Sequence, residues 1–554
     1  MTCPRFSDIE LPVDNPVRTF NMIRKLLDTK SYQKHSHLAF TNLELDVKNT
    51  LPPRFSFRGF PVFIKPFEYP TEIIKTLNIP IYSWNYIACG DMYSWMLDSN
   101  YAKLVFTSAR SLVISQHVCS SLFCLADIDT GVAVQNISVM LRLFRMMTPN
   151  ISEIDLQWRR IEYPDAEGDQ YAPLMRAISD IISNTKSVTI DSKSVFHKTS
   201  FTDMTFPSNL VSFTYTFGFE LSWYNEVIRR NSQCLKRLEL WFYTLNETRI
   251  PLYDKTENKP IVYSSLDTLK LLYAGKRSFQ SLRVPDNTGS LANPRTVHFP
   301  YLHVFESTIP YPFTYNVLPE KLPTLQRLSI YMPEDIYESH PSFEHLASSR
   351  FPNLRELRIL AYLNYTNRMV QPKKLHDSAM LKFVSKTTDP TSLRCFKVDF
   401  LVDKSVFFKD AYMLAAFAGL RSVEMQYVTL LFSEIVWLLE TAPCLEQLLC
   451  GLHYGAPNID GVRPENLPEY IYKMRPLNNR FACLKIDDDF GGLPPRGHIK
   501  TALLLAIGCP RFTRLSYPFM NNDGIRKVAE KVMNTKSFVN YAEAASSFIN
   551  GLRF

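Results

Sequence analysis

The stretch Leu325-Gln-Arg-Leu328-Ser-Ile330 decides how this chain folds. Its apolar residues stand at the first, fourth and sixth places. The last four residues alternate polar and apolar, as a β-strand does when one of its faces is buried. The first leucine adds an apolar anchor just ahead of that strand. The same phrase returns as Leu235-Lys-Arg-Leu238-Glu-Leu240 and as Leu354-Arg-Glu-Leu357-Arg-Ile359, and with substitutions it recurs from about residue 109 almost to the C-terminus. A phrase repeated in this way predicts stacked units that bury their strands against one another.

The phrase places strands near Ser111–Ile114, Glu153–Leu156, Ser187–Ile190, Ser212–Tyr215, Arg237–Leu240, Thr268–Leu271, Arg327–Ile330 and Glu356–Ile359. It places others near Cys395–Val398, Ser422–Met425, Gln447–Cys450, Cys483–Ile486 and Arg514–Tyr517, with weaker signals at Ser281–Val284 and Leu302–Phe305. Between them run helical patterns at Ile137–Met147, Pro173–Ile182, Trp223–Arg230, Glu434–Thr441, Thr501–Ile507 and Gly524–Met533. Parallel neighbours need a crossover, and a helix supplies it. Pro149, Pro443 and Pro510 each follow a helical pattern and precede a strand, where a helix stop belongs. Anchors lie 25 to 39 residues apart. The longer intervals call for insertions, and 246–259, 285–295, 364–376 and 454–480 have polar loop composition.

The 554 residues are 46% apolar and 13% aromatic, which is globular composition. No apolar run is long enough to span a bilayer, and Met1–Glu10 lacks the pattern of a secretory signal. The ten cysteines are scattered, with no Cys-x-x-Cys, and read as reduced thiols of a cytoplasmic or nuclear protein. Residues 1–104 do not show the phrase, and Pro53, Pro61, Pro66, Pro70 and Pro80 punctuate them. Helical patterns at Asn15–Leu27 and Asp91–Leu104 fall in this segment. It is read as an atypical N-terminal cap on a repeat domain over 105–554, because a stack exposes its core at the first strand.

Chemistry-bearing motifs are few. No phosphate-binding loop, dinucleotide fingerprint, nucleophile elbow or zinc-protease motif occurs. His117, Cys119 and Cys124 supply three zinc-type ligands without a local fourth, and packing of the two cysteines explains them more simply. His35 with His37, and Asp487-Asp-Asp489, read as solvated polar segments. Gly491-Gly492 reads as a turn. The expectation is a protein without catalytic residues, cofactor or metal.

What remains is the face opposite the buried one. The middle residue of each phrase points to it, giving the row Asp155, Thr189, Thr214, Glu239, Lys270, Ser329, Arg358, Lys397, Glu424, Leu449, Lys485 and Ser516. Flanking positions add Arg237, Arg327, Trp241 and Tyr331. Solubility alone would account for polar residues here. A partner footprint would also account for the aromatics, since buried rings dominate interface energetics. The partner-binding candidates are Asp155, Arg237, Glu239, Trp241, Lys270, Arg327, Tyr331, Arg358, Lys397, Glu424 and Lys485. Net charge is +8, from 62 basic and 54 acidic residues. That balance, with Trp158-Arg159-Arg160 and Lys236-Arg237 beside Trp241-Phe242-Tyr243, supports a competing reading as a nucleic-acid or ribonucleoprotein binding module. Mixed signs on the face favour a protein partner over a uniform polyanion.

The phrases resemble those of leucine-rich-repeat proteins, and the irregular, helix-bearing spacing resembles the long-repeat, F-box-associated kind. Asn136-Ile-Ser138 through Met147, then Ile151-Ser-Glu-Ile154, resembles a group of fungal F-box/leucine-rich-repeat-like proteins. The resemblance covers roughly residues 109 to 541. It implies a right-handed α/β leucine-rich-repeat solenoid (horseshoe) with a concave parallel sheet and outer helices. It also implies a substrate receptor of a ubiquitin ligase that binds a Skp1-type adaptor through its N-terminal region. Leu11-Pro12 with Phe20, Ile23, Leu26 and Leu27 echoes the opening of an F-box, as Tyr69-Pro-Thr-Glu-Ile-Ile74 does more weakly. The leucine-valine-cysteine-arginine-tryptophan stretch that follows in that family is missing here.

Overall fold

Alternation along each phrase becomes alternation in burial. Leu328 and Ile330 are buried, as are Leu357 with Ile359, Phe396 with Val398, and Val423 with Met425. In a computed structural model the described residues are 42–46, 54–57, 60–62, 75–81, 105–116, 123–124, 130–158, 161–162, 172–192, 206–216, 221–242, 253–254, 259–273, 299–310, 322–332, 351–361, 392–399, 418–430, 432–452, 477–486, 505, 509, 511–512 and 514–516.

The chain divides into two compact units, Met1–Thr268 with Tyr273–Gly275, and Leu269–Leu272 with Lys276–Phe554. The first holds β1 (Asn42–Asp46), β2 (Arg54–Phe57), β3 (Phe60–Val62), β4 (Thr76–Ile81), β5 (Ser111–Gln116), β6 (Phe123–Cys124) and β7 (Glu153–Trp158). It continues with β8 (Ile161–Glu162), β9 (Ser187–Ser192), β10 (Ser212–Thr216), β11 (Arg237–Phe242), β12 (Tyr253–Asp254) and β13 (Lys259–Pro260). The division falls inside β14 (Thr268–Tyr273). The second unit has β15 (Val304–Pro310), β16 (Arg327–Met332), β17 (Glu356–Ala361), β18 (Cys395–Asp399), β19 (Ser422–Leu430), β20 (Gln447–Leu452), β21 (Cys483–Ile486) and β22 (Arg514–Ser516). The described helices are α1 (Thr130–Met147), α2 (Ala172–Ile182), α3 (Leu221–Asn231) and α4 (Phe432–Thr441).

Parallel pairing follows chain order in each unit. The first runs β1–β4–β5–β7–β9–β10–β11. The second runs from β15 to β22 without skipping a strand. Each unit is therefore an α/β, solenoid-like stack of strands. In the segment read as a cap, β4 pairs in register with β5, Leu77 opposite Leu112. Ahead of it, β1, β2 and β3 form an antiparallel meander. The meander is the atypical element at this edge, and β4 is an ordinary rung whose short phrase is masked by Pro80.

One hydrogen-bond pattern repeats at the entry to the strands. The carbonyl of Gln326 accepts from the amides of both Arg355 and Glu356, at 2.7 and 2.9 Å. Arg355 does the same for Arg394 and Cys395, Arg394 for Arg421 and Ser422, and Arg421 for Glu446 and Gln447. In the first unit Lys75, Arg110, Ser152, Lys186 and Val211 play that part in turn. A carbonyl has two lone pairs, so it can satisfy two consecutive donors. The doubled bond leaves no choice of register, because a slip by one residue would orphan both amides and turn the buried side chains outward.

Before several of the doubled bonds the chain makes a four-residue turn. The amide of Leu354 donates to the carbonyl of Phe351, Leu325 to Leu322, and Leu445 to Ala442. Proline holds the second place in all three, at Pro352, Pro323 and Pro443. Its fixed φ suits that place, and its missing N–H is not needed there. The first residue of each turn is buried: Leu322, Phe351 and Ala442. The repeated phrase is thus longer than its leucines suggest, and begins with an apolar residue and proline.

Helices occupy the expected intervals. α1 joins β5 to β7, α2 joins β7 to β9, α3 joins β10 to β11, and α4 joins β19 to β20. α1 starts seven residues before the expected Ile137, because its first turn carries the exposed Val132 and so lacks a burial signal. Tyr224 of α3 stacks on Tyr215 of β10 at 5.7 Å, which ties a crossover to the sheet. Two buried asparagines finish the job at crossover ends. Asn231 donates to the Pro207 and Val227 carbonyls and accepts from the Leu210 amide. Asn478 donates to the Ala442 and Leu439 carbonyls and accepts from the Arg480 and Phe481 amides. Each satisfies backbone groups that a helix end or turn would otherwise bury unpaired.

The thirteen stronger strand expectations are all strands, and the weaker one at Leu302–Phe305 is β15, shifted to Val304–Pro310. Ser281–Val284, Asn15–Leu27, Asp91–Leu104, Gly524–Met533 and all but Leu505 of Thr501–Ile507 lie outside the described residues. Truncating Leu328 or Leu357 to alanine is expected to cost about 2–5 kcal/mol of stability. An unchanged denaturation midpoint in either variant would contradict the inward assignment.

Candidate partner-binding face

Register turns the middle residues of the phrases into true rows. In the second unit Glu306, Ser329, Arg358, Lys397, Glu424, Leu449 and Lys485 stand opposite one another in sequence. In the first, Asp155 faces Thr189, Thr189 faces Thr214, and Thr214 faces Glu239. These residues alternate with the buried apolar pairs, so they lie on the opposite face of the sheet.

Charges on the face are arranged in pairs across and along strands. Lys397 reaches Glu424 on the next strand at 2.8 Å, and Lys270 reaches Glu306 at 3.2 Å. Arg327 reaches Glu356 at 2.6 Å. Glu239 is the most enclosed of them, 9% exposed. It is held between two residues of its own strand: Arg237 at 2.8 Å, and Trp241, whose Nε1–H donates at 3.0 Å. Residues i and i+2 share a strand face, so three expected positions become one cluster. Asp155 accepts from Gln157 Nε2 at 3.0 Å. Such partly exposed pairs contribute little to stability, roughly 0–1 kcal/mol each. Their effect is to fix where charge sits.

Arg358 and Lys485 differ from these pairs. Neither makes an ion pair with any described residue, and Arg358 stands beside Ser329 in register. The Nε of Arg358 and the Oγ of Ser329 are both buried without a hydrogen-bond partner. An orphaned buried polar group costs about 1–3 kcal/mol. Tyr331 and Leu360, the next position along the same face, are 6% and 8% exposed. Tyr331 thus serves packing here, and among the described residues Trp241, partly exposed, is the aromatic the face offers.

Glu306 was missed by sequence reasoning. Its phrase, Leu302-His-Val-Phe305-Glu-Ser307, ends in a buried serine where others end in an apolar residue. The regular spacing of anchors from Leu266 to Leu325 leaves room for one more rung, and that was the available signal. The row ahead of the strands was missed as well. It carries exposed Lys75, Arg110, Lys186 and Lys236 in the first unit, and Arg355, Arg394 and Arg421 in the second.

His35, His37, His117, Cys119, Arg159, Arg160 and Asp487–Asp489 lie outside the described residues, as do the side chains of Cys124, Trp158 and Ser516. Among the described residues no cluster of three or more histidine, cysteine or acidic residues could hold a metal ion. None of the described helices is long and apolar enough to cross a membrane. The six described cysteines form no disulfide. Cys395 sits in the flanking row between Glu356 and Ser422. Burial, then the Glu356 and Glu424 carboxylates, push its thiol up to about 11. At pH 8 that leaves roughly one thiolate in a thousand. Iodoacetamide labelling followed by mass spectrometry should find Cys395 far slower than an unhindered thiol, and faster only as pH nears 11. Labelling at the rate of a free cysteine at pH 8 would refute this placement.

The chain matches no protein-family model, and no curated protein matches it.

Proposed function

We propose that the chain is a non-enzymatic recognition protein that binds a protein partner on the polar face of its sheet. The stack is proposed to be of the leucine-rich-repeat type, right-handed, in a cytoplasmic or nuclear protein with reduced thiols. One observation carries the reading: the register aligns side chains of both signs into fixed rows, with the half-buried Arg358 in the middle making no ion pair with any described residue. A face kept merely soluble gains nothing from a cation fixed without a counter-charge. A binding face does, because a partner's carboxylate completes it. The central row of the second unit by itself carries both signs, Glu306 and Glu424 beside Arg358, Lys397 and Lys485. A protein can match both signs. A nucleic-acid backbone cannot, since it presents one sign throughout.

Affinity purification of the intact protein from its native cell, beside an Arg358→Glu variant, tests the face. The variant is expected to retain its melting curve and lose its partner by about tenfold or more, as removal of a desolvated charge contact does. Full partner recovery with the variant would reject the face as the binding surface.

The resemblance adds a narrower proposal, that this protein is the substrate receptor of an SCF-type ubiquitin ligase and binds a Skp1-type adaptor through residues 1–50. Leu11-Pro12 and the apolar residues after it support this. A pull-down with the adaptor should succeed for the full chain and fail once residues 1–50 are removed. No capture by the full chain would end the ligase reading and leave the recognition reading in place.

A further inference from the structure

The residue just ahead of each strand belongs to a second row, at the edge of the sheet instead of on its polar face. In the second unit this row reads His303, Gln326, Arg355, Arg394, Arg421 and Glu446. Three successive rungs carry arginine. Their backbones are locked together, the Arg394 amide on the Arg355 carbonyl and the Arg421 amide on that of Arg394, both at 2.7 Å. Adjacent strands lie about 4.8 Å apart, so the three stand within about 10 Å.

All three side chains are exposed. Arg394 donates to the Gly419 carbonyl at 2.9 Å, and Arg421 lies 3.9 Å from Glu446 in a loose, exposed pair. The Arg355 side chain has no hydrogen bond or ion pair among the described residues. Solubility calls for charge at such places but not for one sign on three consecutive rungs. On the polar face, neighbouring charges of opposite sign pair off, as in Lys397–Glu424 and Arg327–Glu356. Like charges in a row repel one another, and nothing in the turn or the strand requires arginine there.

We propose that Arg355, Arg394 and Arg421 form a docking ledge for an acidic peptide segment of a protein partner. The proposal rests on the protein-recognition reading and adds a second area of contact. A guanidinium presents a planar fork that matches a carboxylate with two parallel hydrogen bonds. In an extended peptide, every second side chain lies on the same side, about 6.6 Å apart. Three alternating carboxylates therefore span about 13 Å, which long arginine side chains on a ledge of about 10 Å can follow. The ledge is also short. Gln326 ends it on one side and Glu446 on the other. A nucleic acid is held by a longer track of cations and would meet the Glu446 and Glu356 carboxylates at once.

The test is fluorescence anisotropy with the intact protein at low and at physiological salt. The probes are a short peptide of alternating aspartate and serine, and an oligothymidylate of equal charge. The peptide should bind at low salt and weaken as salt rises. An Arg355→Gln/Arg394→Gln/Arg421→Gln variant should lose at least about tenfold in affinity, with an unchanged melting curve. Arg355→Gln alone, which removes no internal contact, should lose about threefold and serves if the triple variant does not fold. Arg358→Gln, on the polar face, should bind the peptide as the parent does. No peptide binding at low salt, equal affinity in the ledge variants, or tighter binding of the oligothymidylate would overturn the ledge. Loss of the peptide in Arg358→Gln alone would also overturn it, while leaving the polar face standing as a binding surface. Partner capture that survives Arg358→Glu, together with a ledge-dependent peptide, would reject the face and keep the ledge.

Discussion

A single carbonyl that accepts two consecutive amides from the next repeat is the constraint on which the rest depends. It recurs at successive strand entries, from Lys75 to Lys236 in the first unit and from His303 to Glu446 in the second. Parallel strands have evenly spaced, slanted bonds and no hairpin to set their offset. The doubled bond sets it instead, at the first residue. Once that residue is placed, every following side chain is assigned to the buried or the polar face. At Leu322, Phe351 and Ala442 a proline-containing turn delivers the chain to this point, and the buried residue that opens the turn holds it down.

Crossovers of very different length can then serve the same sheet. The interval from Arg327 to Glu356 holds no described helix, whereas α1 alone has 18 residues. A stack of this kind is stabilised mostly by contacts between neighbouring repeats, so one interval tolerates change without disturbing another. The buried leucines supply the driving force, about 1.5–3 kcal/mol for each fully buried side chain. Asn231 and Asn478 do a different task. They close the polar groups left at the ends of α3 and α4, which apolar residues at those positions could not do.

Much of this was readable in the sequence, for a physical reason. A strand with one buried face writes its register as alternation, so Leu328, Leu357, Phe396 and Val423 could be assigned inward, and Lys397 and Glu424 outward, before any coordinates. What resisted reading had weaker signals. β4 has Leu77 and Ile79 but also Pro80, and proline argues against an interior strand. β15 has Ser307 where an apolar residue would have marked it, which hid Glu306. The first turn of α1 carries the exposed Val132 and adds nothing to the apolar stripe. Tyr331 lies opposite Leu360 of the next strand, and Glu239 is enclosed by Arg237 and Trp241 of its own, which alternation between buried and polar faces does not report. The arginine ledge was invisible because its members are spread over 66 residues and meet only through the register.

The functional account follows from the same constraint, since rows of charge exist only if the register holds from rung to rung. Hydrogen exchange read by mass spectrometry on the intact protein is its most direct test. The amide pairs Arg355–Glu356, Arg394–Cys395, Arg421–Ser422 and Glu446–Gln447 each share one acceptor, and the account predicts strong, similar protection at all four. Fast exchange at one pair while its neighbours stay protected would contradict a continuous register, and the rows of side chains with it.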